Sequence, residues 1–363
     1  MSAIHYQLIY SPFRNTIHRN ISHEFLYNKI DKVAINKFYD LNNTFNFKII
    51  SSMLKTPILD KDLRLHLDSI TEDGRDIFLI ADDQVRITAA NCTNLVNQMR
   101  ANHKTGLLES YVLGQAYIAG ILLSSCVKGN DRIQLQIECG GPIKGISIES
   151  WACGAVRGYL MNNPIPLEKP LTSLDTSLLF GPGFISVSKV LEGSKEPVTG
   201  TVMMSYGNIA KDLALYFTES EQTPTLIYIS LKFDEKGNII GAGGLFIQAL
   251  PGCDEKILDS LQEQSSRLSN LGLALSRNES IEEYVLSNFN SYKPRKLAHS
   301  PIGFSCPCSK DGFKKYLKTL PQKEKEGILK GSFPLNLECF NCGSIYSFEK
   351  SDVETLFDKE EKK

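Results

Sequence analysis

The 363-residue chain has almost no charge of one sign to spare: 40 Lys and Arg offset 41 Asp and Glu, for a formal net charge of −1. It therefore has no global basic field with which to hold nucleic acid or an anionic membrane. It also lacks a long apolar run. The longest uncharged apolar-rich stretch, residues 110–127, contains Gln115, Ser124 and Ser125. It only just reaches the ~18–20 residues a spanning helix needs, and its polar and glycine content fits a buried core helix. The first 20 residues have no continuous apolar segment, which argues against a secretory signal. Catalytic motifs are missing as well. There is no H-E-x-x-H, P-loop or G-x-S-x-G, and His5, His18, His23, His66, His103 and His299 are dispersed. Gly241-Ala242-Gly243-Gly244 lacks phosphate-loop spacing and reads as tight sheet packing. Asp82/Asp83 and Glu219/Glu221 read as turns and caps rather than acid–base dyads. The chain is not expected to be an enzyme.

What is present is ordinary globular composition, 42% hydrophobic and 22% charged, in a length that allows two or three domains. The nine cysteines are an odd number. Cys92, Cys126, Cys139, Cys153 and Cys253 are single, and four more crowd the C-terminal end. A secreted disulfide scaffold would be short and evenly stapled. Scattered thiols plus one dense cluster point instead to a reducing cytoplasm and one specialised thiol site.

Residues 1–52 read as an extension, weakly structured or outside the functional chain. From Met53 the pattern is regular. Residues 77–80 and 84–90 suggest strands about an Ala-Asp-Asp turn, and residues 91–125 suggest helix broken near Gly106. Period-two alternation predicts strands over 132–137 and 145–151, continuing at 156–161. Residues 184–191 and 198–206 form a candidate hairpin, 209–218 a helix, and 225–233 with 239–248 a second hairpin across a Gly/Asn turn. Strands in runs with helices interspersed predict an α+β fold. From 254 to 300 there are 13 charged residues and a broken apolar stripe of Ile257, Leu258, Leu261, Leu268 and Leu271. That segment has helical potential but too little apolar surface to be stable alone. The expected organisation is an N-terminal domain at 53–253, a metastable linker at 254–303, a cysteine module at 304–350 and a charged tail at 351–363.

Cys306-Pro307-Cys308 and Cys339-Phe340-Asn341-Cys342 carry the chemistry. Their 30-residue separation supplies four soft ligands to one Zn²⁺, with no open position left. A module this small needs metal for much of its folding free energy. His299 is a nearby substitute ligand for which four thiols leave no vacancy. Each pair can also close on itself as a local disulfide, so the spacing allows either inert structural zinc or a redox switch. A nucleic-acid-binding zinc ribbon is the competing reading. Between Cys306 and Lys350 eight lysines face five acids, and Tyr316, Phe333, Phe340, Tyr346 and Phe348 are available to stack on bases. The blander alternative makes those aromatics the module's core.

Beyond the C-x-C…C-x-x-C module, three stretches carry a resemblance. They are Val156-Arg157-Gly158-Tyr159-Leu160; Gly207-Asn208-Ile209-Ala210-Lys211-Asp212-Leu213-Ala214-Leu215-Tyr216, running on to Ser220-Glu221-Gln222; and Gly243-Gly244 through Gln248 to Leu250-Pro251-Gly252. Over roughly residues 53–350 the chain resembles the heat shock protein 33 family of redox-regulated chaperones. Asn97-Gln98-Met99-Arg100 and Leu113-Gly114-Gln115 are most similar to spirochaete members. The resemblance implies an N-terminal α+β domain that binds clients and dimerises, and a linker docked on it in the reduced state. It also implies a cytoplasmic protein, inactive when zinc-loaded through Cys306, Cys308, Cys339 and Cys342. Oxidation to the disulfides Cys306–Cys308 and Cys339–Cys342 would then release zinc, unfold the linker and let the protein hold unfolding clients without ATP. The extension 1–52 has no counterpart in the family.

Overall fold

The computed structural model describes residues 53–167 and 175–358. The reading of residues 1–52 as an extension, and the last residues of the charged tail, lie outside them. The described chain divides into two units. The first comprises residues 53–306 with 339–344, and the second 307–338 with 345–358.

The first unit holds two sheets, antiparallel except for one short parallel pair at the edge of the second. Helix α1 (Lys61–Ser69) starts where the Asp60 carboxylate accepts the Leu63 amide at 2.9 Å. Strands β1 (Gly74–Ile80) and β2 (Val85–Asn91) follow, then α2 (Thr93–His103) and α3 (Leu107–Leu123). Strands β3 (Arg132–Cys139), β4 (Gly145–Trp151) and β5 (Ala155–Leu160) form a meander. The one-turn α4 (Ser177–Phe180) leads to the hairpin β6 (Gly183–Val190) and β7 (Val198–Met203), then α5 (Ile209–Glu219). The hairpin β8 (Thr225–Phe233) and β9 (Ile239–Ala249) completes the region predicted to be α+β.

After it come α6 (Glu255–Ser265), α7 (Leu271–Ser276), α8 (Ile281–Phe289), β10 (Arg295–Pro301) and β11 (Gly303–Phe304). One sheet has the order β10-β1-β2-β9-β8 and the other β11-β5-β4-β3-β6-β7. Helix α3 is the only helix among the described residues long and apolar enough to cross a membrane when its 3-10 extension to Cys126 is counted. It touches β2, β8 and β9 of one sheet and β3, β4 and β5 of the other, with nearly every side chain buried. An all-round apolar helix is what a position between two sheets selects.

Two of the stretches that carry the resemblance prove architectural. Asp212, fully buried, accepts the amides of Ser205, Tyr206 and Asn208 at 2.8–2.9 Å and so builds the entry to α5. The glycines of β9 let helices approach closely. A Cβ at Gly241 would lie 2.0 Å from the Gly272 carbonyl oxygen of α7, and one at Gly244 would lie 2.8 Å from Ile118 of α3. Tight packing accounts for them, as the sequence reading had it.

The segment expected to be a weak helical linker is ordered within this unit. Leu261, Leu271, Leu275, Ile281, Tyr284, Val285 and Phe289 bury themselves with Phe78, Ile80, Val85, Ile87, Leu245 and Ile247 on one face of the first sheet. The apolar stripe read from the sequence omitted α8. Its residues 281, 284, 285 and 289 recur at helical spacing behind a Ser280/Glu283 capping box, which fixes the helix start. Strand β10 then pairs antiparallel with β1, and β11 pairs parallel with β5. Removing one anchor tests the dependence. Phe289→Ala is expected to cost about 3–5 kcal/mol. Hydrogen exchange should show the amides of 255–301 losing protection before those of β2 and β9; uniform loss would mean this segment has no separate stability.

The second unit contains α9 (Lys310–Thr319), α10 (Gln322–Leu329), the hairpin β12 (Leu335–Glu338) and β13 (Ile345–Phe348), and α11 (Lys350–Asp358). Phe313, Leu317, Tyr346, Phe348 and Val353 are its most buried apolar side chains. Tyr346 and Phe348 are thus core residues, not open stacking platforms; only Phe340 of the five aromatics is substantially exposed, at 40%.

Candidate metal centre

Two short arms bring the cysteines together. Strand β11 runs beside β5, and the Ser305 amide extends the ladder to the Val156 carbonyl at 3.0 Å, which delivers Cys306 beside Arg157. The other arm is a knuckle. The amides of Cys342 and Gly343 both return to the Cys339 carbonyl, at 3.2 and 2.7 Å, and the Cys339 amide bonds the Ser344 carbonyl at 2.9 Å. Cys306, Cys308, Cys339 and Cys342 are all buried, and their four Sγ atoms lie within 4.8 Å of one another. Cys306 Sγ and Cys339 Sγ are 3.8 Å apart. A tetrahedral site with bonds of ~2.3 Å has edges of about 3.8 Å, so the donor set fits a closed four-thiolate ion. The same separation is far beyond the ~2.05 Å of a disulfide, and all nine cysteines are free.

The surroundings hold the sulphurs in place. Arg157 donates from Nη1 to Cys306 Sγ at 3.5 Å. The Tyr346 hydroxyl donates to the Cys308 carbonyl at 3.0 Å and lies 3.3 Å from its Sγ. Ser344 Oγ is 3.2 Å from Cys342 Sγ. Asn102, at the end of α2, clamps the knuckle. Its Nδ2 donates to the Cys342 and Leu54 carbonyls at 3.0 and 2.8 Å, while its Oδ1 accepts from Gln98 Nε2 at 2.6 Å. Sequence reading did not single out Asn102, and a contact spanning 240 residues leaves no local signal.

Gly343 takes φ +68°, and a Cβ there would lie 2.3 Å from the Asn102 carbonyl oxygen. Gly343→Ala therefore meets both left-handed strain and a backbone clash. It is expected to cost about 1–3 kcal/mol, read as at least a several-fold loss in a chelator-competition measurement of zinc affinity. Unchanged affinity would show that the turn relaxes freely.

Four of the scattered thiols are poor candidates for chemistry. Burial pushes the thiols of Cys92, Cys126, Cys139 and Cys253 upward, away from the reactive thiolate. His299, the alternative ligand, donates from Nδ1 to Asp76 Oδ1 at 2.6 Å and takes no place in the cluster. His103 is half-buried, and desolvation drives its imidazole down to about 4 and keeps it neutral.

The fold and the site together define an α+β protein with a buried four-cysteine centre fitted for a metal ion. Residues 73–349 match the Hsp33 protein family model. The chain is 31% identical over 284 residues to a 33 kDa chaperonin of Desulforamulus reducens, covering 78% of this chain and 96% of that one. With 33 kDa chaperonins of Geobacter sulfurreducens and Bacillus subtilis it shares 32% and 31% identity, covering 80% and 77% of this chain and 97% of each relative. The crystal structure of the Thermotoga maritima 33 kDa chaperonin, a heat shock protein 33 homolog, superposes with a TM-score of 0.73. That match has 25% identity and covers 81% of this chain and all of the other. The chain belongs to the Hsp33 family.

Proposed function

We propose that this protein is a redox-regulated, ATP-independent holdase chaperone and not an enzyme. The observation that carries the reading is the set of four buried thiols within 4.8 Å, of which Cys306 lies two residues beyond the end of the docked 255–304 segment. Zinc is the ion the four-thiolate set suits best, one per chain through Cys306, Cys308, Cys339 and Cys342. In that reduced form the segment 254–303 stays packed on the N-terminal domain and the chaperone is inactive. Peroxide converts a thiolate to a sulfenic acid, and the neighbouring thiol displaces water to form a disulfide. The disulfides are Cys306–Cys308 and Cys339–Cys342. A cysteine bound in a disulfide is no longer a thiolate donor, so metal binding and the folding it supports are lost together. The linker then opens and unfolding proteins are held on the exposed apolar surface.

The remaining assignments follow from that reading. Residues 53–253 bind clients and dimerise on activation, 304–350 form the switch module, and the setting is the cytoplasm. A chain begun at Met53 is expected to fold and switch. Being 5% exposed, Met53 marks where packing starts among the described residues. The deciding experiment is light scattering of a thermally unfolding client. Aggregation should proceed with the reduced zinc form and be suppressed after peroxide treatment. Equal behaviour in both states, with salt-sensitive RNA or DNA binding indifferent to oxidation, would favour a nucleic-acid-binding zinc ribbon instead.

A further inference from the structure

In the Val156-Arg157-Gly158-Tyr159-Leu160 stretch, three successive residues of β5 meet both cysteine arms. Arg157 donates to Cys306 Sγ. The Gly158 amide donates to the Asn341 carbonyl at 3.3 Å, inside the knuckle. The Tyr159 ring lies 6.0 Å from that of Phe340, the residue after Cys339.

Arg157 is the unusual member. It is only 2% exposed, and its Nε and Nη2 fork onto Glu149 Oε2 at 2.7 and 2.5 Å. Glu149 is itself held by Arg132 at 2.6 Å. The guanidinium also lies over the Trp151 ring, 5.3 Å from its centroid. It cannot swing to water, and the nitrogen left over from the fork faces sulphur.

Four thiolates around one divalent cation leave two net negative charges. Buried charge without a counter-ion costs several kcal/mol per ion. We propose that Arg157 is the positioning residue of the cysteine centre, a buried counter-cation whose hydrogen bond to Cys306 sets how tightly the centre keeps its metal. Arginine suits the place better than lysine. Its planar fork grips Glu149 with one edge and still presents an N–H to the sulphur, whereas a single ammonium has no fixed direction. Groups in this relation to a metal typically change affinity 10–100-fold when removed.

This inference rests on the zinc reading, and the test separates the two. Zinc affinity of the full reduced chain is measured by competition with a chromophoric chelator, for wild type, Arg157→Gln and Arg157→Lys. Far-UV circular dichroism checks the fold. We expect the glutamine variant to bind at least tenfold more weakly and the lysine variant to fall between it and wild type. Wild-type affinity in Arg157→Gln, or equal weakening in both variants, overturns the proposal: the first removes the effect, the second makes it one of packing. If the glutamine variant fails to fold, the cobalt(II)-loaded lysine variant decides. Loss of the N–H···S bond should move the thiolate-to-cobalt charge-transfer band away from its wild-type position, and an unmoved band overturns the role. A wild-type chain that takes up neither zinc nor cobalt overturns the metal reading itself, before any variant is needed.

Discussion

Cys339→Ser is expected to abolish stoichiometric zinc. A serine hydroxyl stays protonated near neutral pH and is a hard, weak ligand for an ion that prefers thiolate in closed sites. Its Cβ position would be unchanged, so the loss would be chemical rather than steric. Structural zinc supplies an apparent ~10–16 kcal/mol at such sites, so even a third of that is roughly a thousandfold in affinity. The consequence should reach the fold. The second unit's core rests on few large side chains, among them Phe313, Tyr346 and Phe348, too few to offset the entropy of ordering some 45 residues. The measurements are zinc per chain after dialysis and hydrogen exchange across β12 and β13. One zinc per chain in this variant would show that Cys339 is not a ligand.

The cysteine centre was readable because its signal is local. Cys306 and Cys308 are two residues apart and Cys339 and Cys342 three, a spacing that reads directly as two ligand pairs. The first-unit strands were readable for a similar reason: alternation such as Arg132-Ile133-Gln134-Leu135 encodes a half-buried strand whatever lies across from it. Helix α1 and strand β10 were not readable. In β10 nearly every residue is exposed, so no hydrophobic period marks it, and only pairing with β1 makes it a strand. Arg157 stood in a stretch that signalled family membership, but its chemistry depends on Cys306, 149 positions away. How residues 254–303 pack was only partly legible in the sequence, for a physical reason. Its apolar face is sparse on any one helix, and three short helices together, not one stripe, cover the sheet formed by β1, β2 and β9.

That divided cover is the basis of the other large effect expected. After peroxide and mild heat, trypsin should cut early at Lys256, Arg267, Arg277 and Lys296, sites that resist cleavage in the reduced zinc form. None of the four is hidden by burial; resistance must come from backbone held in regular structure. Lys256 is in the first turn of α6, and Lys296 is in the ladder of β10. A protease needs an extended segment, so cleavage follows the population of the opened state when opening is fast. Arg267 and Arg277 lie just past helix ends and should be the less contrasting pair. Lys296 is the sharpest reporter. Its Nζ reaches the buried Asp76 carboxylate at 2.9 Å and Glu282 at 2.6 Å, while His299 holds Asp76 from the same strand. Opening β10 must leave Asp76 either unpaired or hydrated, so the strand should release as one piece with α8 rather than fray. Reduction with zinc present should restore resistance and end client holding together. If trypsin cuts all four sites at equal rates in both states while client holding still switches, residues 254–303 are not the moving element. The switch would then lie within the sheets of residues 53–253.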